Sequence, residues 1–156
     1  MKLTLLVVGK TTDARLEALI GEYTQRLTHY VPFTIQVVPD LKNVKSLTQE
    51  QVKQQEGEGI LKCISPSTYM ILLDEHGKEY RSIDFAAYVQ RLMAGGRDVT
   101  FVIGGPYGFS PAVYQRADAQ VSISLMTFSH QMIRLLFVEQ LYRAQTILHH
   151  EPYHHE

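Results

Sequence analysis

The chain has 156 residues, 45% apolar and 20% charged, with a formal net charge of −1 when its histidines are neutral. Such a length gives about one domain with one sizeable core, and such a balance excludes disordered or fibrous classes. Without a positive excess, the chain has no general basic field for coating DNA or RNA, which leaves room only for a local nucleic-acid patch.

"LTLLVV" (3–8) is a β-rich apolar run ending at Gly9 and predicts a buried strand. The run is too short for a signal-peptide core or a membrane span, so no membrane partner and a cytoplasmic location are expected. Asp13 opens a helix with Leu16, Leu19, Ile20, Tyr23 and Leu27 at helical spacing. "FTIQVVP" (33–39) alternates before stopping at Pro39, as a strand does. Thr48 and Gln51 form a capping-box pattern at the start of a helix reaching about Ile64. Within it, Gly57 and Gly59 cost helix propensity and predict close packing or a distorted turn. The single cysteine, Cys63, excludes an internal disulfide and a cysteine-based zinc site; on the inner side of that helix end it reads as a small core residue.

"TYMILLD" (68–74) predicts a third strand, and "SIDFAAYVQRLMAGG" (82–96) a helix ended by its glycines. "VTFVIGG" (99–105) is a fourth strand. Ser110 and Pro111 supply an N-cap and a first-turn proline for a short helix. "AQVSISL" (119–125) is a more polar fifth strand, after which Ser129 opens a helix over about 130–148. Alternating strands and helices predict an α/β fold, one domain over residues 1–156, with a mainly parallel sheet flanked by helices. In such sheets ligands bind beyond the carboxyl ends of the strands, here "LLDEHGK" (72–78) and "IGGPYGFSP" (103–111). The last helix is apolar around most of its circumference, which predicts cover on more than one side, including a second subunit.

The second half also concentrates functional side chains. The last lysine is Lys78, every later cation on a side chain is arginine, and five of seven histidines fall at or after residue 130. Arginine suits bidentate recognition of phosphate or carboxylate, and histidine titrates near neutrality. "IGGPYG" lacks both the dinucleotide-binding glycine spacing and the Lys-Ser/Thr pair of a phosphate loop, so it fits a tight turn and a ligand loop equally. Glu139 and Arg143 stand four apart on one helical face, which by spacing alone is an ordinary ion pair.

Together "VIGGPYG", "SLMTFSHQMIRLLFVEQLYRA" and the closing "PYH" resemble the RlmH-type ribosomal-RNA methyltransferases of the SPOUT class. "LLVVGK", "EGEGIL" and "LLDEHGK" extend the resemblance over the whole chain. It implies a single-domain SPOUT-type α/β fold with a C-terminal trefoil knot, an exception to the rule that chains do not thread loops. It also implies a homodimer that uses S-adenosylmethionine, without a metal, to methylate N3 of a pseudouridine in large-subunit rRNA within the ribosome. A tRNA or a uridine is the alternative target. Carried over by motif, the cofactor site comprises Leu73, Gly104, Ile123, Ser124, Leu125, Met126, Thr127 and Phe128, and the catalytic candidates are His130, Arg143, Tyr153 and His154. Arg26, Lys42, Lys45 and Arg143 are expected to contribute a local RNA-facing patch. The closing "LHHEPYHHE" (148–156) offers a metal-binding alternative with little scaffold, because Pro152 breaks the helix and keeps His150 and His154 off one helical face.

Overall fold

A computed structural model describes all residues, 1–156. The strands are β1 (Leu3–Val8), β2 (Phe33–Val38), β3 (Tyr69–Glu79), β4 (Val99–Ile103) and β5 (Ala119–Ser122). The helices are α1 (Ala14–Leu27), α2 (Gln49–Lys62), α3 (Ser82–Ala94), α4 (Pro111–Arg116) and α5 (Met132–Leu148). All five strands run parallel in the order β2-β1-β4-β3-β5. This is the expected α/β sheet flanked by helices.

Side chains alternate across a strand, so β1 feeds two cores. Leu3, Leu5 and Val7 join the larger core beneath α1, α3 and α5, whereas Leu6 and Val8 join the smaller one beneath α2 and α4. A strand buried on both faces reads as an unbroken apolar run, which is why its position was plain in the sequence.

The caps form as expected. The Asp13 side chain accepts from the backbone N–H groups of Arg15 and Leu16, and Thr48 and Gln51 close a reciprocal capping box. Gly57 and Gly59 are sites of close packing: a Cβ on Gly57 would lie 2.5 Å from Ser110 Oγ, and one on Gly59 would lie 2.9 Å from Val38 Cγ1.

Several expectations need correction. Cys63 is exposed, one residue past α2, and its thiol contacts Gly59 O instead of the core. β3 continues past residue 74: its pairing with β5 breaks between Leu73 and Lys78, then resumes at Lys78 and Glu79. Gly77 lets this irregular stretch pass the Val121 backbone, because a Cβ there would lie 2.6 Å from Val121 N. β5 ends at Ser122, and the regular turns of α5 begin at Met132, although the Ser129 hydroxyl still accepts from Met132 N.

The apolar circumference of α5 is largely covered within the chain. α5 packs between α1 and α3, and Phe137 meets Phe101 of the sheet with ring centroids 4.8 Å apart. A stripe including Met132, Leu136, Glu139, Gln140 and Arg143 remains open or half-buried.

Candidate active site

Beyond the carboxyl ends of β3, β4 and β5 lies a cleft of about 470 Å³. Leu73 and the 74–76 bulge form one wall, the 104–109 loop another, and the 123–128 segment a third. The sheet topology produces the cleft by bringing three strand ends together where β3 leaves its ladder. Of the eight expected cofactor residues, Leu73, Gly104, Ile123, Ser124, Met126, Thr127 and Phe128 line it. Leu125 does not line it and is 74% exposed.

Gly104 is where the wall must come closest, since a Cβ there would lie 3.0 Å from the Phe109 ring. Gly108 has φ +84°, a left-handed conformation that favours glycine and closes the turn through Gly108 N–H donating to Gly105 O. Sequence reasoning gave no role to His76 or Tyr107, yet both line the cleft. Asp74, with its side chain 6% exposed, accepts from the His76 N–H and from the Tyr114 hydroxyl, and it contacts His76 Nδ1 at 3.1 Å. Burial and the Asp74 bond hold the Tyr114 phenol well above its usual range, so it remains a donor.

His130 also lines the cleft. Burial, with the nearby Arg134 cation, lowers its pKa against the opposing field of Asp40. The imidazole is therefore held in its neutral form at neutral pH. Arg134 was missed by sequence reasoning. It is 1% exposed and donates to Val8 O at 2.7 Å, Gly9 O at 2.9 Å, Thr11 Oγ1 at 3.1 Å and His130 O at 3.1 Å. An arginine beside an apolar run in "MIRLLF" was its only signal.

The other three catalytic candidates meet elsewhere. Arg143 donates to Glu139 at 2.6 Å and to His154 Nδ1 at 3.2 Å, while the Tyr153 hydroxyl donates to Glu139 at 2.8 Å. The guanidinium also sits over the Tyr153 ring, 4.7 Å from its centroid. Since Arg143 carries no lone pair, His154 must accept through Nδ1 and keep its proton on Nε2. Burial, Tyr23 and Glu139 all raise the Tyr153 pKa, keeping the phenol protonated. Glu139, known from sequence only as a spacing partner, is the hub of this cluster. Arg26 joins its rim over the Tyr23 and Tyr142 rings, whereas Lys42 and Lys45 lie exposed in the loop after β2. No group of three or more histidine, cysteine or acidic side chains is placed to hold a metal.

The two clusters occupy different ends of α5. Ile133 lines the cleft and Arg143 lies ten residues further on, roughly 15 Å along the helix at about 1.5 Å per residue. Within one chain His130 therefore stands apart from Arg143, Tyr153 and His154.

The sequence pattern of the family described as "Predicted SPOUT methyltransferase" matches residues 1–154. The chain belongs to that family. This SPOUT methyltransferase is 55% identical to the Ribosomal RNA large subunit methyltransferase H of Parabacteroides distasonis and 54% identical to that of Phocaeicola vulgatus, in each case over the full length of both chains. The Flavobacterium johnsoniae protein of the same name is 51% identical, again over both full lengths. Among solved structures, a probable methyltransferase from Bordetella pertussis Tohama I shares the fold at TM-score 0.55 and 12% identity, covering 92% of this chain and 96% of its own. No helix of the methyltransferase is long and apolar enough to cross a membrane.

Proposed function

We propose that this SPOUT methyltransferase uses S-adenosylmethionine to methylate N3 of a pseudouridine in large-subunit rRNA, acting as a homodimer on the assembled ribosome in the cytoplasm. Residues 1–156 serve as one catalytic domain, with the segment after β5 threaded as a trefoil knot. The observation that carries the reading is the pairing of two incomplete clusters on α5 with full-length relatives named as large-subunit rRNA methyltransferases.

The cleft fits the cofactor in size and chemistry. Its volume of about 470 Å³ falls in the range of small-molecule sites. Leu73, Ile123 and Phe128 offer apolar cover for an adenine, and the loops at 104–109 and 123–128 offer main-chain donors and acceptors. Asp74 and Glu75 offer acceptors for hydroxyl or cationic groups. When bound, the cofactor supplies an electrophilic methyl group. Protein side chains then have to orient the acceptor nitrogen, exclude water and manage one proton.

The N3–H of the acceptor is a weak acid, so its departure leaves negative charge on an imide. Arg143, held by Glu139 and stacked on Tyr153, is suited to stabilise that charge. His154 spends its Nδ1 lone pair on Arg143, whereas His130 is held neutral with free basic capacity. His130 is therefore assigned the proton, and Arg143, Tyr153 and His154 the charge and orientation of the base.

These roles converge only if the tail cluster of one protomer faces the cleft of another. Leu125 and Met126, 74% and 75% exposed, offer apolar surface for that contact beside the open stripe of α5. The test combines Thr127→Trp, which fills the cleft, with Tyr153→Ala, which empties the tail cluster. Each variant alone is inactive on ribosomes; mixed dimers recover roughly a quarter of wild-type activity, because one composite site in each heterodimer is intact. Absence of recovery after demonstrated subunit exchange rejects the composite site. Mass mapping of large-subunit rRNA from cells with and without the protein identifies the base, and an unchanged pseudouridine rejects the substrate.

A further inference from the structure

Glu56 is a buried acidic residue, 8% exposed, and unlike the buried side chain of Asp74 it makes no hydrogen bond to a phenol or a backbone N–H. It lies on the inner face of α2 between Val52 and Ile60, one turn away on either side and both buried, where an apolar side chain would continue the stripe. Its Oε1 has no hydrogen-bond partner, and it belongs to no ion pair. A buried carboxylate without a partner is costly to ionise. Burial, together with Asp40 on the loop after β2, accordingly pushes its pKa up.

Its position gives that cost a purpose. A Cβ on Gly105 would lie 2.5 Å from both carboxylate oxygens. The carboxyl group therefore presses directly on the glycine loop, and Gly105 is a wall of the cleft. Lys53, one turn earlier on α2, lines the same cleft but pairs with Glu50 at 3.0 Å.

We infer that Glu56 is a specificity-determining residue for the charge of the cofactor, favouring the sulfonium methyl donor over the neutral thioether product from behind Gly105. This rests on the cofactor reading of the cleft. S-adenosylmethionine carries one positive charge more than S-adenosylhomocysteine, and the two are otherwise alike apart from the methyl group. A carboxylate in a poorly solvated wall senses that difference strongly. Arrival of the cation favours ionised Glu56; loss of the charge after transfer favours its reprotonation and weakens retention of the product. Asp74 and Glu75 also face the cleft and supply part of the preference, so Glu56 accounts for a share of it.

The test is calorimetric titration of S-adenosylmethionine and S-adenosylhomocysteine into the wild type and the isosteric Glu56→Gln. Expected is a loss of about tenfold in affinity for the cation, with the thioether within about twofold of wild type. Equal weakening of both ligands, or no change in either, overturns the inference while leaving the cofactor site standing. If the wild type binds neither ligand, the cofactor reading falls and takes the inference with it. A second measurement needs no variant: wild-type affinity for the cation should rise more steeply with pH, between about 5 and 8, than affinity for the thioether. An imidazolium at His130 or His76 in the same cleft would also disfavour the cation relative to the thioether and add to this difference, so parallel pH profiles overturn the inference even if Glu56→Gln does not fold.

Discussion

Arg134→Met tests how the cleft is held in place. The native guanidinium makes four donations, tying the end of β1 and the following loop to His130, two residues before α5. Methionine fills much of the same slot without a donor and strands the acceptors at Val8, Gly9 and His130. Hydrogen bonds to a charged group contribute about 1.5–3 kcal/mol each, but removing arginine also removes the penalty of burying its charge. Arg134 has no carboxylate partner at ion-pair distance, and Asp40 acts on it only through its field. The offset is therefore substantial, and a net loss of about 2–4 kcal/mol is expected in urea unfolding. The same substitution removes one cause of the low His130 pKa, so the imidazole should titrate at a higher pH by NMR. Part of the lowering should persist, because burial is its larger cause. A stability loss under about 1 kcal/mol with an unmoved His130 titration refutes the clamp.

Thr48→Ala removes the side-chain acceptor of the α2 capping box and should cost about 1 kcal/mol in urea unfolding, with cofactor affinity unchanged. Tyr30→Phe releases Glu151, whose carboxylate now accepts from the Tyr30 hydroxyl at 2.7 and 2.8 Å, and should lower kcat on ribosomes while leaving cofactor Kd within about twofold. His130 contributes a pH dependence of stability: its folded pKa lies below the unfolded value near 6.5, so the unfolded chain binds more protons between the two values. Stability should therefore fall as pH drops from about 6.5 through the folded pKa, and His130→Asn should flatten that part of the profile; an unchanged slope assigns the dependence elsewhere.

The fold was legible where local chemistry is self-sufficient. β1 and β4 are buried on both faces, so hydrophobicity alone marks them. Asp13, Thr48 and Ser110 cap helices through atoms within three residues, which spacing can reveal. The far end of β3 was not legible, because Lys78 and Glu79 are strand residues only by pairing with Val121 and Ser122 over forty positions away. Cys63 was misread for a related reason: the inner side of α2 passes through Val52, Glu56 and Ile60, and the helix ends before its phase brings Cys63 inward. Apolarity around α5 was real, but a sequence cannot distinguish cover by α1 and α3 from cover by another chain.

The candidate site shows the same division more sharply. Motif resemblance located eight cleft-lining residues, His130 among them, and the Arg143–Tyr153–His154 cluster, yet it gave no measure of the distance between them. That distance follows from α5, a continuous helix with His130 just before its start and Arg143 near its end. Neither end is optional in the proposed chemistry, since one holds the neutral imidazole and the other the cation. The tail sharpens the point. His149 donates from Nδ1 to Gln145 O, and Glu151 is held by Tyr30, while Tyr153 and His154 fold back onto α5. The neighbouring contacts thus anchor the backbone, and the "PYH" segment presents the two side chains that reach Glu139 and Arg143. A rigid helix separates the functions, an anchored tail completes one of them, and a second protomer is the economical way to bring both to one base.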